Sequence, residues 1–596
     1  MDTHDEDLDG IKAIRTYIDR IVEGDGKCKG MKVLLLDAST TQIVSAVYSQ
    51  TEILSNDVYL VSRLDDTGAK QQQQQQQQQS DKNKNKSSHL KAVCFVRPTE
   101  ISVGMLVREL KEPRFAEYHF FFSGILTQGL LRLLAESDST ERVKQVQEFY
   151  GDFVPINDDL LTLQCRNTLS MSVAAGTSWA PQYSHLYERN LRGLQGMLLA
   201  LKRQPLAGIR YAGQSACAEE LAKDIFDAIS TDEIFHFRRR RRNTAGTLLL
   251  VLDRRDDPVT PLLSQWTYQA MVHELLGLNN HRVVLKGAPN IAKDLEEVVL
   301  SSCQDEFFCN NRHKNFGELG ENIQKLLQDY QKQTANNTTN FNTIEDMQAF
   351  MDKFPELRSR SHNVSKHVAI MGELARLVGA CSLMDVSQFE QELACADDHT
   401  AHWRELMEKL DSPAVKIPDK LRLGLLYALR YETSGNINMV QQAMKKGGVP
   451  PDMVNLVSVM LRYGGSKSRG PGLYGDQNNI MSNLTKSFMT SVQGVQNVYA
   501  QHVPVLMDTI QSITKGKLRR DTHPFVPGSI KTVPGVSPDT VIPDEIIVFM
   551  VGGVTYEEGT KISEFNQTHR GKIQVVLGGS TVHNSTSFLE ELKMTK

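Results

Sequence analysis

The sequence contains no stretch of about 18 consecutive apolar residues, the length that a membrane-spanning helix requires. Contact with a membrane is therefore expected only through partners. No secretory leader is expected, because Met1–Gly10 is acidic and polar. Cysteine is sparse. The eight positions (Cys28, Cys94, Cys165, Cys217, Cys303, Cys309, Cys381 and Cys395) include no CxxC pair. Several lie in apolar runs such as Ala92–Val96, which suits reduced, buried thiols in a cytosolic protein. Sequons such as Asn483–Thr485 are accordingly expected to stay unglycosylated. A charge excess is also lacking. Lys and Arg number 67 against 71 Asp and Glu, so the net charge of −4 gives nucleic acid no general basic surface to bind. The run Arg238–Arg242 is the exception, and it reads as a solvated interdomain connection.

The motifs of common catalytic chemistry are missing as well. Asp253 follows the apolar run Leu248–Leu252, and Asp37 follows Leu34–Leu36; both have the outline of a Walker B carboxylate. Nucleotide hydrolysis also requires backbone amides and a lysine around the phosphates, yet no GxxxxGK[ST] occurs. The nearest approach, Gly553 to Lys561, has the wrong spacing and order. A nucleotide-driven machine built on Asp253 is thus the weaker reading. There is no GxSxG elbow, and His273-Glu274 lacks the second histidine of a zinc-binding HExxH. Asp253, Asp256 and Asp257 could hold a hard cation, but beside Arg254 and Arg255 they read more simply as a salt-bridged loop. No enzyme activity, cofactor or metal is expected.

What is present is a folded composition, 40% hydrophobic and 23% charged, over 596 residues, enough for two to four domains. Ile11–Val22 has helical spacing. Apolar runs at Met31–Asp37, Val58–Val61, Ala92–Val96 and Tyr118–Phe122 alternate with helical patterns at Thr40–Gln50, Glu100–Lys111 and Leu126–Glu136. This alternation predicts a parallel sheet covered on both faces. Asp65–His89 breaks the pattern with nine glutamines and a polar tract, and reads as a disordered surface loop. A second α/β region starts near Ser137, and its remaining strands, Ile546–Gly553 and Lys572–Gly579, lie near the far end with a closing helix from Ser587. Between them stands a largely helical insertion. One apolar stripe in it is Val364, Val368, Met371, Leu374 and Val378; another is Ile344, Met347, Met351 and Phe354, after a polar loop at Thr334–Thr343. At the insertion's start, Thr260-Pro261 reads as a helix N-cap and first position, with Leu262, Trp266, Ala270 and His273 on one face. His273 reads as a core histidine.

Several segments resemble one family throughout its length. LLLVLDRRDDPVTPLLSQWTYQAMVHELLG from Leu248, MKVLLLDASTTQIVSAVYSQTEIL from Met31, SKHVAIMGELARLV from Ser365, IIVFMVGGVTYEE from Ile546 and VVLGGSTVHNSTSFLEEL from Val575 are similar to the SM (Sec-one/Munc-eighteen) family of syntaxin-binding fusion regulators. RLLAESDSTERVKQVQEFYGDF, QNVYAQH and QELACADDH resemble the branch serving trans-Golgi and endosomal traffic.

The resemblance implies an α/β fold in a three-domain arch: two doubly wound domains, the second discontinuous, with a large helical domain inserted. The corresponding divisions are 1–136 (with 65–89 as an insertion), 137–243 plus 480–596, and 244–479. It also implies a syntaxin-type SNARE and its SNARE complex as partners. The syntaxin's N-terminal peptide would occupy a pocket at Leu126, Leu131, Val146 and Glu148, unless Leu131 and Val146 merely pack helix on sheet. A hairpin bearing Ile344, Met347, Met351 and Phe354 would meet the SNARE helices. Location would be cytoplasmic, at Golgi and endosomal membranes. A tether or coat-type subunit acting through Rab effectors is the alternative.

Overall fold

The computed structural model describes residues 8–23, 25–65, 89–174, 183–235, 237, 246–289, 291–338, 344–470, 472–474, 498–530 and 541–595, with side chains left aside within 330–361. Most of the glutamine-rich insertion and the arginine run therefore lie outside the described residues. The chain forms two compact units. The first comprises Met1–Asp253, Ser512–Gly553 and Ile562–Thr581; the second comprises Arg254–Gln511, Val554–Lys561 and Val582–Lys596.

The first unit holds two sheets. One consists of β1 (Lys32–Leu36), β2 (Val58–Arg63), β3 (Lys91–Val96), β4 (Glu117–Phe122) and β5 (Val143–Glu148), in the order β2-β1-β3-β4-β5 and parallel throughout. Every residue of β1 is buried, as expected of a KVLLL strand covered on both faces. One face packs on the helix Glu100–Lys111 through Val103, Leu106 and Leu110, and on the helix Gln128–Ser137 through Leu134. The sheet runs past the edge expected at Glu136. VKQVQE in β5 lacks a continuous apolar run because it is an edge strand with a buried Gln145 and an exposed Val146.

After the short antiparallel pair β6 (Val154–Pro155) and β7 (Leu160–Thr162), the second sheet adds β8 (Gly208–Tyr211), β9 (Thr247–Asp253), β12 (Glu545–Val551) and β14 (Gln574–Gly579). Its order, β6-β7-β14-β12-β9-β8, brings strands some 300 residues apart in sequence side by side. Leu250 of β9 lies beside Val548 of β12, which lies beside Leu577 of β14. Thr247–Asp253, expected at the start of the helical insertion, is thus a strand of this sheet. Its continuous apolar run Leu248–Leu252 is that of a strand buried on both faces.

The second unit is mainly helical, with two short strand pairs: β10 (Arg282–Val284) antiparallel to β11 (Glu297–Val299), and β13 (Val554–Thr555) parallel to β15 (Val582–His583). Its core joins Trp266, Tyr268, Met271, Val283, Phe308, Leu319, Ile370 and Leu374. A single helix, Ile344–Ala380, carries both predicted stripes, and the preceding helix, Phe316–Thr338, extends into the stretch expected to be a loop. Of the stripe from Val364 to Val378, Val364, Leu374 and Val378 are buried, whereas Val368 is 37% exposed; Ile370 and His367 face the core instead. No single described helix is long and apolar enough to cross a membrane.

Candidate functional site

Three places were singled out by their residues. The first is the segment from Leu248, whose carboxylates turn to three separate sets of partners. Asp253 accepts hydrogen bonds from the hydroxyls of Ser172 (2.9 Å) and Ser215 (2.6 Å). Asp256 accepts from the Gly470 amide at 2.8 Å. Asp257 accepts from the Thr260 amide (3.0 Å) and hydroxyl (2.6 Å). The Asp257 carboxyl is held below its ordinary range. Burial opposes this, but neighbouring Arg254, His502 and the Thr260 hydrogen bonds outweigh it. Among the described residues no cluster of histidine, cysteine and carboxylate could hold a metal ion.

Arg254 is the surprise of this segment. Its side chain is fully buried, and Nη1 donates to both carboxylate oxygens of Glu558 at 2.8 Å, while Nε donates to the Asp257 carbonyl at 3.0 Å. Glu558 also accepts from the Thr555 amide and hydroxyl at the head of the helix Tyr556–Thr568. The expected salt-bridged loop is therefore an internal fastening with Glu558 as the missing member. At a separation of 304 residues, only the character of VTYEE as a strand-to-helix turn could have suggested it.

The expected N-cap at Thr260 is not one. Thr260–Leu262 forms a single 3₁₀ turn, and the helix spans Tyr268–Leu275 after Thr267. Leu263, with φ −83° and ψ 145°, returns to extended backbone and stops the turn. Pro261 suits the first position of either helix type, so the cap signal was genuine but short.

The second place is the predicted peptide pocket. Thr127 caps the helix Gln128–Ser137, and Leu126 just before it is held by its amide donating to Glu148 Oε1 at 2.7 Å. The other oxygen, Oε2, accepts from the Tyr150 hydroxyl at 3.0 Å. Glu148 thereby ties the loop entering the helix to the edge strand. In the parallel register Val146 stands beside Phe120 and so points to the sheet face on which the helix lies. Leu126 packs partly against the core, but Leu131 and Val146 remain 43% and 42% exposed. Leu131 and Val146 thus keep more exposed area than ordinary core residues do. The structure brings Leu126 and Glu148 into direct contact and leaves Leu131 and Val146 as open apolar surface.

The third place is the predicted hairpin. Ile344, Met347, Met351 and Phe354 begin the helix Ile344–Ala380, but their side chains lie outside the described residues.

Comparison with known proteins gives a consistent picture. Residues 32–591 match the Sec1 family. Vacuolar protein sorting-associated protein 45 of Homo sapiens is 41% identical over 583 residues, covering 97% of this chain and 95% of that protein. The homologue in Arabidopsis thaliana is 41% identical over 589 residues, 98% and 97% of the respective chains. Among solved structures, the SM protein Vps45 in complex with the Qa SNARE Tlg2 superposes with a TM-score of 0.84 at 39% identity, covering 99% of this chain and 98% of that one.

Proposed function

The chain belongs to the Sec1 family of SM proteins, and from that premise we propose that it binds a syntaxin-type SNARE and chaperones SNARE assembly in trans-Golgi and endosomal transport. The observation that carries this reading is the likeness, along nearly the whole chain, to a Vps45 solved together with its Qa SNARE. Such a protein acts by holding SNARE helices in register, which lowers the conformational entropy lost when they pair. No bond is made or broken, so the chain acts as a non-enzymatic regulator, cytoplasmic and held at Golgi and endosomal membranes by its partners.

The peptide pocket at Leu126, Leu131, Val146 and Glu148 would receive the syntaxin's N-terminal segment. Exposed Leu131 and Val146 supply apolar area, and the Glu148 carboxylate favours a peptide with basic residues. Ile344, Met347, Met351 and Phe354 would offer an amphipathic helix face to the SNARE bundle. Isothermal titration with the syntaxin N-terminal peptide tests the pocket. Leu131→Arg should remove measurable binding while changing stability by no more than about 0.5 kcal/mol, as for other exposed sites. Unchanged affinity in that variant would refute the assignment.

A further inference from the structure

A cavity of about 370 Å³ lies within the first unit, next to the peptide pocket residues: Ile125 and Thr127, which flank Leu126, and Tyr150, whose hydroxyl donates to Glu148, are part of its lining. It sits at the carboxyl ends of β3, β4 and β5, the edge of a parallel sheet where α/β folds take their ligands. Its far wall is the helix Ser184–Ala200, which approaches closely because Gly196 lies against the backbone of Tyr150 and Asp152. The volume falls in the range of small-molecule sites. Ile125, Leu199 and the Tyr150 ring supply apolar wall.

The charge of the lining is uneven. Three guanidinium groups, Arg97, Arg189 and Arg192, face two carboxylates, Asp152 and Glu188. Both carboxylates are already engaged by guanidinium edges. Asp152 Oδ1 accepts from Arg97 Nε at 2.8 Å and Oδ2 faces Arg189 Nη1 at 3.2 Å, while Glu188 pairs with Arg192 Nε. Among the described residues, the terminal nitrogens of Arg97 and Arg192 have no acceptor. Thr99 and Thr127, which cap the helices Glu100–Lys111 and Gln128–Ser137, also line the cavity. Each threonine satisfies one amide of its helix, so the remaining first-turn amides add positive potential on that side. The terminal nitrogens of two ion-paired guanidiniums, two helix starts and an apolar wall are groups suited to a tetrahedral oxyanion on a compact organic body.

We propose that this cavity binds a phosphomonoester on a small ring-sized body, of the kind carried by an inositol phosphate. The same chemistry is presented by a soluble inositol phosphate and by a phosphoinositide headgroup in a membrane. The full chain is therefore tested with three probes: inositol trisphosphate and inorganic phosphate by titration calorimetry, and phosphoinositide-bearing vesicles by cosedimentation. At least one probe is expected to bind saturably. Arg192→Glu, at a side chain 40% exposed and so safe for folding, should weaken that binding at least tenfold, or about 1.4 kcal/mol. Lys446→Glu, an equal charge reversal at a side chain 79% exposed in the other unit, should leave binding unchanged. The responding probe identifies the source of the phosphate. Absence of binding in all three arms overturns the proposal, as does equal binding by the wild type and Arg192→Glu, or equal loss in the two variants.

Discussion

His273 lies on the helix Tyr268–Leu275 with its ring 4.9 Å from that of Tyr556, edge to face. Burial alone pushes its pKa down from the ordinary histidine value to about 4. The folded chain therefore keeps this ring neutral where the unfolded chain, at about 6.5, takes up a proton. Stability is unaffected above about pH 6.5. Between about 6.5 and 4 it should fall by about 1.4 kcal/mol per pH unit through this residue alone. Denaturant unfolding followed at about pH 7 and about pH 5 checks this, and His273→Gln should reduce the drop. The sequence places His273 on one apolar helix face with Leu262, Trp266 and Ala270; Leu262 and Trp266 lie outside the helix, and the partly buried ring packs on Tyr556 instead. Arg254 could not be read in the same way. A guanidinium in an RRDD run has every local sign of solvent exposure, and only Glu558, 304 residues away, makes its burial tolerable.

At the scale of elements, Arg254 joins the turn after β9 to the start of the helix Tyr556–Thr568. A buried ion pair contributes little compared with apolar packing, but removing one partner leaves the other charge stranded. Arg254→Leu should therefore cost about 3–5 kcal/mol in chemical denaturation, and adding Glu558→Leu should recover much of the loss. Elements with one dominant period were legible from the residues. Glu100–Lys111 matches its predicted span, and β1, β3, β4, β9 and β12 fall where continuous apolar runs lie. The misses share a cause. Val143–Glu148 is polar because it is an edge strand, Thr260–Leu262 stops after one turn because Leu263 turns extended, and Val368 leaves the apolar stripe because helical phase places Ile370 inward. In each case the partner surface, not the local pattern, decides.

At the scale of the whole molecule, the segments that carried the family resemblance have a physical basis. Those starting at Leu248, Ile546 and Val575 supply the adjacent strands β9, β12 and β14; Arg254 lies in the turn after the first and Glu558 at the start of the helix after the second. Their value is structural: they build a scaffold. The surfaces that meet partners were less legible. The positions of Leu131 and Val146 came from the family resemblance, and only the structure shows both as exposed apolar surface on a face otherwise packed by helices. The central claim is that this scaffold serves a syntaxin-type SNARE. The most direct test is a pull-down with the purified chain from cytosol and detergent-solubilised membranes, with bound SNAREs identified by mass spectrometry. A trans-Golgi or endosomal syntaxin should be enriched, together with its SNARE partners. Retention of Rab effectors without any syntaxin would contradict the claim.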